Sequence, residues 1–256
     1  MAGNDTVQSV ERAIDLLQWL ASSENGLRLS DLASRLGLNV STVHNLVRTL
    51  AGRGYVVKGA GQYLRLGPAI ADLVAQEQER GMLRGGAQAG LELQRAFPLA
   101  TVNLAEMAGA ELRIRIRLSS DRPGLIQRPV SQLGNPYGSA VGLCCQAFAD
   151  QGTVQMWRER HPFHEHAVPL WGSPEVLAEH LAQARRQGHV ETPFPKQELW
   201  RVAFPVFLPG GQFLAALGLA LPVAQAVPEV RREAIAAVRA AAARLAPQER
   251  KTACTP

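Results

Sequence analysis

Residues 27–65 read LRLSDLASRLGLNVSTVHNLVRTLAGRGYVVKGAGQYLR, and this stretch decides the fold of the N-terminal part of the chain. Gly37 separates two segments whose apolar residues recur every three or four positions, which predicts a helix, a tight turn and a second helix. Gly54 ends the second helix, and two short strands then flank a glycine-rich tip at residues 58–62. This order is typical of a winged helix-turn-helix, a module that reads double-stranded DNA.

The second of these helices has a polar face suited to nucleic acid. Asn39 caps the helix, and its apolar residues lie on one side at helical spacing. The other side and the following hairpin carry groups that can hydrogen-bond phosphates or base edges. The predicted DNA-binding residues are Ser41, Thr42, His44, Asn45, Arg48, Arg53, Lys58 and Gln62. Those on the helix are expected in the major groove, and Arg53 and Lys58 on phosphates.

The local charge distribution favours a negatively charged partner. No acidic residue lies between Asp31 and Asp72, and the basic residues of that window are Arg35, Arg48, Arg53, Lys58 and Arg65. A surface of one sign is the expected footprint of a phosphate-rich partner. The alternative interpretation is a solvated helix face in an ordinary helical domain.

The same region resembles the IclR family of bacterial transcription regulators. The motifs that carry the resemblance are TVQSVERAIDLL at residues 6–17, LASRLGL at 32–38, STVH at 41–44, RGY at 53–55 and YLRLG at 63–67. The resemblance is dense over residues 6–68 and continues more weakly to about residue 245. The chain has Val40 and Asn45 where the family often has Lys and Arg. We therefore expect an operator that differs from a typical family site.

The resemblance implies an N-terminal winged helix, a linker helix and a GAF-like domain that senses a small molecule. With 256 residues and a formal charge of +5, the chain is long enough for two domains. We predict an α+β fold with a winged helix-turn-helix DNA-binding domain at residues 1–68. A linker helix and hinge follow at 69–86, with the hinge at Gly81, Gly85 and Gly86. A GAF-like effector-binding and oligomerisation domain occupies 87–256, with covering helices on an antiparallel sheet.

Composition and cysteine usage limit the partners and the compartment. The N-terminus has no apolar segment of the signal-peptide type, and no run approaches the ~18 apolar residues of a membrane span. The cysteines Cys144, Cys145 and Cys254 do not form a disulfide framework, which favours the reducing cytoplasm. We expect a cytoplasmic homodimer or homotetramer with no cofactor and no membrane partner. Its expected partners are a double-stranded DNA operator and a small-molecule effector, either a carboxylate or an aromatic compound.

The C-terminal region contains two predicted β-hairpins, at residues 100–118 and 201–221, with helices at 140–149, 174–187 and 228–245. The strand at 111–118 alternates apolar residues with Arg113, Arg115 and Arg117. The apolar side is predicted to face the core. The arginine side is either a solvated sheet face or a surface that binds an anion or a neighbouring subunit.

The expected effector pocket departs from the family pattern. In the family, the ligand lies between the sheet and a helix that follows a Pro-x-His-x-Thr-Ala-x-Gly-Lys-like loop, but residues 136–143 read PYGSAVGL and lack the His and Lys. Gly218 and Ala220 replace a pair of pocket serines, and Arg201 stands at a Cys position. Such changes predict a different effector class. The expected effector-binding residues are Val102, Leu104, Tyr137, Ser139, Glu191, Arg201, Leu217 and Leu219.

Arg201 has three alternative roles in the sequence. It can face the pocket and bind an acidic effector, since a guanidinium pairs a carboxylate through two parallel hydrogen bonds. It can instead pair internally with Glu191, which leaves the pocket apolar or closed. It can also point to solvent. Strand register decides between these alternatives, and one sequence does not determine it.

Two further groups suggest other classes of function. His161, His164 and His166 could bind zinc or nickel, although a loop with incidental histidines explains them better. Cys144 and Cys145 could sense oxidation or act as nucleophiles, but no nearby base supports catalysis. We therefore expect an IclR-type regulator whose DNA affinity a small molecule tunes, and not an enzyme. The alternative is a ligand-independent regulator with a degenerate pocket; a cysteine- or metal-based sensor or enzyme is less well supported.

Overall fold

The computed structural model of the chain describes residues 6–128, 135–194 and 198–246. The chain divides into two compact units, Met1–Glu79 and Arg80–Pro256. The boundary between them falls within the predicted linker of residues 69–86. Among the described residues, no helix is both long and apolar enough to cross a membrane.

The N-terminal unit is a winged helix-turn-helix. Its helices are α1 (Gln8–Ala21), α2 (Leu29–Leu36) and α3 (Val40–Gly52). The strands β1 (Val56–Lys58) and β2 (Leu64–Leu66) pair antiparallel around a 3₁₀ turn at Ala60–Gln62. The buried core comprises Leu16, Leu20, Leu27, Leu32, Ala33, Val43, Val47, Val56 and Leu64. The predicted order of helix, turn, helix and hairpin is confirmed.

A single long helix, α4 (Pro68–Ala96), runs through the region where a linker helix followed by a hinge is expected. Gly81, Gly85 and Gly86 all lie inside it, so the expectation of a break there is wrong. The later glycines instead allow side chains to pack closely. A Cβ on Gly86 would lie 2.6 Å from Leu104 Cδ2, and a Cβ on Gly85 would lie 2.8 Å from Leu245 Cδ2. Both distances are well below van der Waals contact.

The C-terminal unit is built on a five-stranded antiparallel sheet in the order β4-β3-β7-β6-β5. The strands are β3 (Thr101–Ala108), β4 (Glu111–Leu118), β5 (Val190–Glu191), β6 (Leu199–Phe207) and β7 (Phe213–Pro222). The helices after β4 are α5 (Ala140–Phe148), α6 (Gln151–Arg160), α7 (Phe163–His166), α8 (Val168–Trp171), α9 (Pro174–Gln187) and α10 (Pro228–Leu245). This arrangement confirms the predicted α+β class.

Each face of the sheet has its own hydrophobic core. On one face, residues of α4 and α10 such as Met82, Leu93 and Val238 pack with Val202 and Leu217. On the other face, α5 and α9 pack over the sheet with aromatic residues of α6 and α8. We call these the α10 core and the α5 core. Since side chains alternate along a strand, each position in the central strands belongs to one core only.

A β-bulge in β4 changes which face its residues cover. Leu104 pairs with Ile116 while Ala105 pairs with Ile114, so Arg115 is the extra residue. Consequently Ile116 lies in the α10 core, whereas Leu112 lies in the α5 core. The expectation of one continuous apolar face on this strand is therefore wrong. On the arginine side, Arg113 pairs with Glu111 and Arg115 with Glu106, so carboxylates partly neutralise that surface.

Candidate DNA-binding surface and effector pocket

The recognition helix α3 is fixed at its start by the side chain of Asn39. Its Oδ1 accepts hydrogen bonds from the Thr42 backbone at 2.8 Å and from Ser41 Oγ at 2.9 Å. Such a cap satisfies a backbone N–H that the first turn would otherwise leave without a partner. Val43 and Val47 are buried in the core of the unit, so the opposite side of the helix faces outward.

A groove of about 450 Å³ separates α3 from the β1–β2 hairpin. Four of the eight predicted DNA-binding residues line it: His44, Arg48, Lys58 and Gln62. Their apolar neighbours in the groove include Leu29 and Leu64. A helix and a hairpin with polar groups between them can together follow a DNA groove and its phosphates.

The other four predicted DNA-binding residues lie outside this groove. Ser41 and Asn45 are exposed on α3, and Thr42 is partly buried at its first turn. Arg53 is exposed at the C-cap of the same helix. Arg65, which belongs to the basic window, donates from Nε and Nη2 to the Asn25 carbonyl at 3.3 Å. It therefore fastens the hairpin to the rest of the unit.

The tip of the hairpin has an unusual backbone. Gly61 has φ 67° and Gln62 has φ 63°. Among the described residues with positive φ, Gln62 is the one that is not glycine. Such a conformation costs an L-residue about 1 kcal/mol or more, and strain of this kind tends to occur at functional positions.

In the C-terminal unit, a small cavity of about 60 Å³ lies between the sheet and the start of α5. Arg201 on β6 pairs with Ala220 on β7, and Asn103 on β3 pairs with Gly218. These four residues and Ser139 line the cavity. Ser139 caps α5, because its Oγ accepts from Gly142 N at 3.0 Å. We call this cavity the Arg201 pocket.

Asn103 is a polar member of this pocket that the sequence analysis does not identify. Its Oδ1 is buried and has no hydrogen-bond partner among the described residues. A buried amide oxygen without a partner is costly, so a water or a ligand donor is expected beside it. The signal in the sequence is an amide side chain between the apolar residues Val102 and Leu104 of β3.

Arg201 lines the pocket, and the described part of the chain shows no ion pair between Arg201 and Glu191. Burial lowers the pKa of its guanidinium, and Nη1 donates to the Leu199 carbonyl at 3.2 Å. Glu191 instead accepts from Trp200 Nε1 at 3.0 Å and lies 3.5 Å from His189 Nε2. The interpretation of an internal Arg201–Glu191 pair is therefore wrong, and the pocket-facing interpretation agrees with the register.

Most of the expected apolar lining belongs elsewhere. Val102, Leu104 and Leu217 lie in the α10 core, on the face of the sheet opposite the Arg201 pocket. Leu219 borders the pocket but is also a member of that core. The physical reason is the twofold alternation of strands, since an error of one residue moves a side chain to the other face.

Tyr137, another residue expected in the pocket, is a structural anchor instead. It is 1% exposed in the α5 core, and its hydroxyl donates to the His161 carbonyl at 2.7 Å. Its ring packs 5.1 Å from that of Trp157. Burial raises the pKa of the Tyr137 hydroxyl, which keeps it neutral.

A second, larger cavity of about 310 Å³ lies at the β5 edge of the same sheet. We call it the β5 groove. It contains the His189–Glu191 pair described above, together with Trp200 and Arg231. Hydrogen bonding to Glu191 raises the pKa of His189, and the pairing with His189 lowers the pKa of Glu191.

This pair makes stability depend on pH. A raised histidine pKa stabilises the fold below the unfolded value of about 6.5, and that contribution is lost as pH rises through the folded value. A lowered Glu pKa stabilises the fold above about 4.5, and that contribution is lost in acid. The pair therefore stabilises most between these two limits.

We expect His189→Gln to reduce the loss of stability that the protein shows as pH rises above about 6. The difference in melting temperature between the wild type and His189→Gln should shrink by about 1–3 °C from pH 6 to pH 8. The change is this small because a partly exposed pair contributes at most about 1 kcal/mol. Thermal melts at several pH values measure this. His164→Gln is the control, because that side chain is 77% exposed. A constant offset between wild type and His189→Gln at every pH would refute the linkage.

His161 and the two adjacent cysteines take structural positions. His161 stacks on Trp157, with ring centroids 4.8 Å apart. In the described parts of the chain, no three His, Cys, Asp or Glu residues are grouped so as to hold a metal ion. Cys144 and Cys145 are fully buried, and burial raises the pKa of both thiols, which makes them poor nucleophiles. Cys254 lies outside the described residues.

Comparison with known proteins matches residues 9–59 to the IclR helix-turn-helix domain. The HTH-type transcriptional regulator XynR of Escherichia coli is 26% identical over 220 residues, which cover 83% of this chain and 85% of XynR. The transcriptional repressor IclR of the same organism is 28% identical over 204 residues, or 72% and 68% of the two chains. A crystal structure of an IclR-type regulator from Silicibacter sp. has a TM-score of 0.52 and 26% identity, and the match covers 93% of this chain and 94% of that one.

Proposed function

Since this chain belongs to the IclR family of DNA-binding transcription regulators, which are not enzymes, we propose that a small organic acid in the Arg201 pocket tunes its affinity for an operator. The observation that carries the proposal is that one cavity holds the half-buried guanidinium of Arg201 and an Asn103 amide oxygen that has no hydrogen-bond partner among the described residues. The DNA-binding part follows from the family. The effector and its site are our inference.

On the DNA side, we propose that all eight predicted residues contact the operator. The groove between α3 and the hairpin supports this for His44, Arg48, Lys58 and Gln62, which line it together. Ser41, Asn45 and Arg53 are exposed beside it. Helix residues would read base edges, while Arg53 and Lys58 would hold phosphates.

We further propose that the protein works as a homodimer or homotetramer in the cytoplasm. Helix α1 and the residue before it expose Val7, Val10 and Ile14, which are 63%, 54% and 49% accessible and recur at helical spacing. An apolar stripe of this kind favours contact with a second chain. Two recognition helices related by a twofold axis would match a palindromic operator.

On the effector side, the pocket chemistry favours a carboxylate. The guanidinium of Arg201 lines the cavity and is a group that pairs with carboxylates, and Asn103 offers an acceptor to a hydroxyl group of the ligand. The cavity of about 60 Å³ is far below the ~300–1,000 Å³ of drug-sized ligand sites, so the smallest organic acids are the best candidates.

The small volume also favours a second candidate function, a regulator whose pocket is closed and whose DNA binding is independent of ligand. Gly218 shows how tightly the region is packed, because a Cβ there would lie 2.5 Å from Val141 Cγ1. The two candidates differ in one measurable property: whether any small acid changes operator affinity.

We expect one member of a panel of small carboxylic acids to change operator affinity at least tenfold, which corresponds to about 1.4 kcal/mol of coupling. Arg201→Gln should reduce that change to less than twofold, because the neutral amide cannot form the charged pair. Fluorescence anisotropy with promoter DNA from beside the gene measures both.

Arg186→Gln is the matched control for this experiment. Arg186 lies in the same unit, its side chain is 64% exposed, and its substitution removes the same charge. It should leave the response intact. If Arg201→Gln responds like the wild type, the proposed site is wrong; if no acid acts on the wild type, the ligand-independent function is the correct one.

A further inference from the structure

We propose that the β5 groove is a second ligand site, distinct from the Arg201 pocket, that binds a small hydroxycarboxylate. The groove lies between α9, the β5 edge of the sheet and the start of α10. Its volume of about 310 Å³ is at the lower end of the ~300–1,000 Å³ common for ligand sites. It is lined by polar side chains from elements that are far apart in sequence.

Arg231 is the anion-binding group of the groove. Its Nε donates to the Ala226 carbonyl at 2.7 Å, and its guanidinium carbon lies 5.5 Å from the centroid of the Trp200 ring. These contacts hold the guanidinium in one orientation. The Nη donors can then bind a carboxylate, which a fixed planar fork holds at low entropic cost.

The local charge favours an anion even though Glu191 is present. The Glu191 carboxylate is already engaged by Trp200 Nε1 and His189. Arg231 and Arg239 both act electrostatically on this pair, and Arg239 lies 5.4 Å from the centroid of the Phe204 ring on which His189 stacks. Two arginines against one carboxylate leave a net positive charge, and protonation of His189 adds to it.

His180 supplies the second recognition element, an acceptor for a hydroxyl group. Its Nε2 is buried and lacks a hydrogen-bond partner among the described residues. Burial lowers the pKa of His180, so the ring is neutral. In the tautomer that carries its proton on Nδ1, Nε2 is an acceptor, and a ligand hydroxyl would satisfy it. A carboxylate on Arg231 and a hydroxyl on His180 together define a hydroxycarboxylate.

The test is isothermal titration calorimetry of the full chain with citrate and with tricarballylate, which is citrate without its hydroxyl, at constant ionic strength. We expect citrate to bind, and tricarballylate to bind several-fold more weakly. Arg231→Gln should weaken citrate binding at least tenfold. Arg232→Gln is the matched control, because Arg232 is the next residue, its side chain is 72% exposed, and the charge change is the same; it should bind citrate normally.

Two further variants sharpen the test. One distinguishes the β5 groove from the Arg201 pocket, and the other distinguishes a fixed planar guanidinium from a simple positive charge. Arg201→Gln should retain citrate binding, and loss of binding in that variant would place the ligand in the Arg201 pocket and overturn the proposal. Arg231→Lys keeps a positive charge but loses the planar fork, and it should weaken binding several-fold even if Arg231→Gln fails to fold. No binding of either acid to the wild type, or normal citrate binding by both Arg231 variants, would also overturn the proposal.

Discussion

Arg48→Ala is expected to weaken operator binding by about tenfold to a hundredfold, because one arginine contact to a base or phosphate contributes about 1–3 kcal/mol. Arg48 is exposed on the outer side of α3 and lines the groove that separates the helix from the hairpin. No other arginine of α3 lines that groove among the described residues. Anisotropy titrations with operator DNA measure the loss.

The form of the loss shows which contact Arg48 makes. If the guanidinium binds a phosphate, affinity falls equally for all sequences and the salt dependence decreases by about one ion. If it binds a guanine, the preference for that base pair is lost. Arg186→Ala is the control, since it removes the same charge from an exposed position in the other unit. Unchanged operator affinity in Arg48→Ala would reject the assigned role.

Gly90→Leu should destabilise the C-terminal unit by at least about 3 kcal/mol, the upper end of typical overpacking costs. Gly90 is buried in α4, and a Cβ at this position would lie 2.4 Å from Leu118 Cδ1. Leu118 is itself fully buried at the sheet, so it has little room to move. We expect the melting temperature to fall by about 6–12 °C.

The same helix provides the control for this prediction. Gly81 also lies in α4, but a Cβ there has no neighbour within 4 Å. Gly81→Leu should therefore be neutral or stabilise the protein by up to about 1 kcal/mol through helix propensity. Paired thermal melts of the two variants test the close packing directly. If Gly81→Leu melted as low as Gly90→Leu, the glycines would serve as a flexible hinge and not as packing positions.

Local signals explain why the N-terminal unit could be predicted from the sequence. The Asn39 cap, the left-handed Gly37 and the spacing of Val43 and Val47 all act within one or two helical turns. All of these signals indicate the same helices and the same turn, and such agreement allows a structure to be predicted from its sequence. The positions that face outward on α3 then follow from geometry alone.

The effector pocket could be predicted only in part, because it depends on strand pairing over long distances. Ser139 and Arg201 are predicted at positions that line it, whereas Val102 and Leu104 belong to the opposite face. The bulge at Arg115 shows that one extra residue moves the following side chains of a strand to the other face of the sheet. No local sequence pattern predicts such a bulge.

The β5 groove could not be predicted for a related reason. It brings together His180, Glu191, Trp200 and Arg231, which come from two helices, a two-residue strand and a long strand. Their meeting depends on the edge position of β5 in the sheet. The glycines of α4 look like helix breakers in the sequence for the same reason. The side chains that pack against them lie more than a dozen residues away in the chain, so the local sequence does not show their packing role.

The winged helix-turn-helix is expected to give the full chain sequence-specific binding to DNA. The most direct measurement compares affinity for the promoter beside the gene with affinity for a scrambled duplex of equal length at about 150 mM salt. We predict that the promoter binds at least about 10³-fold more tightly, as for specific regulators in general. Equal affinity for the two duplexes would contradict sequence-specific recognition by this unit.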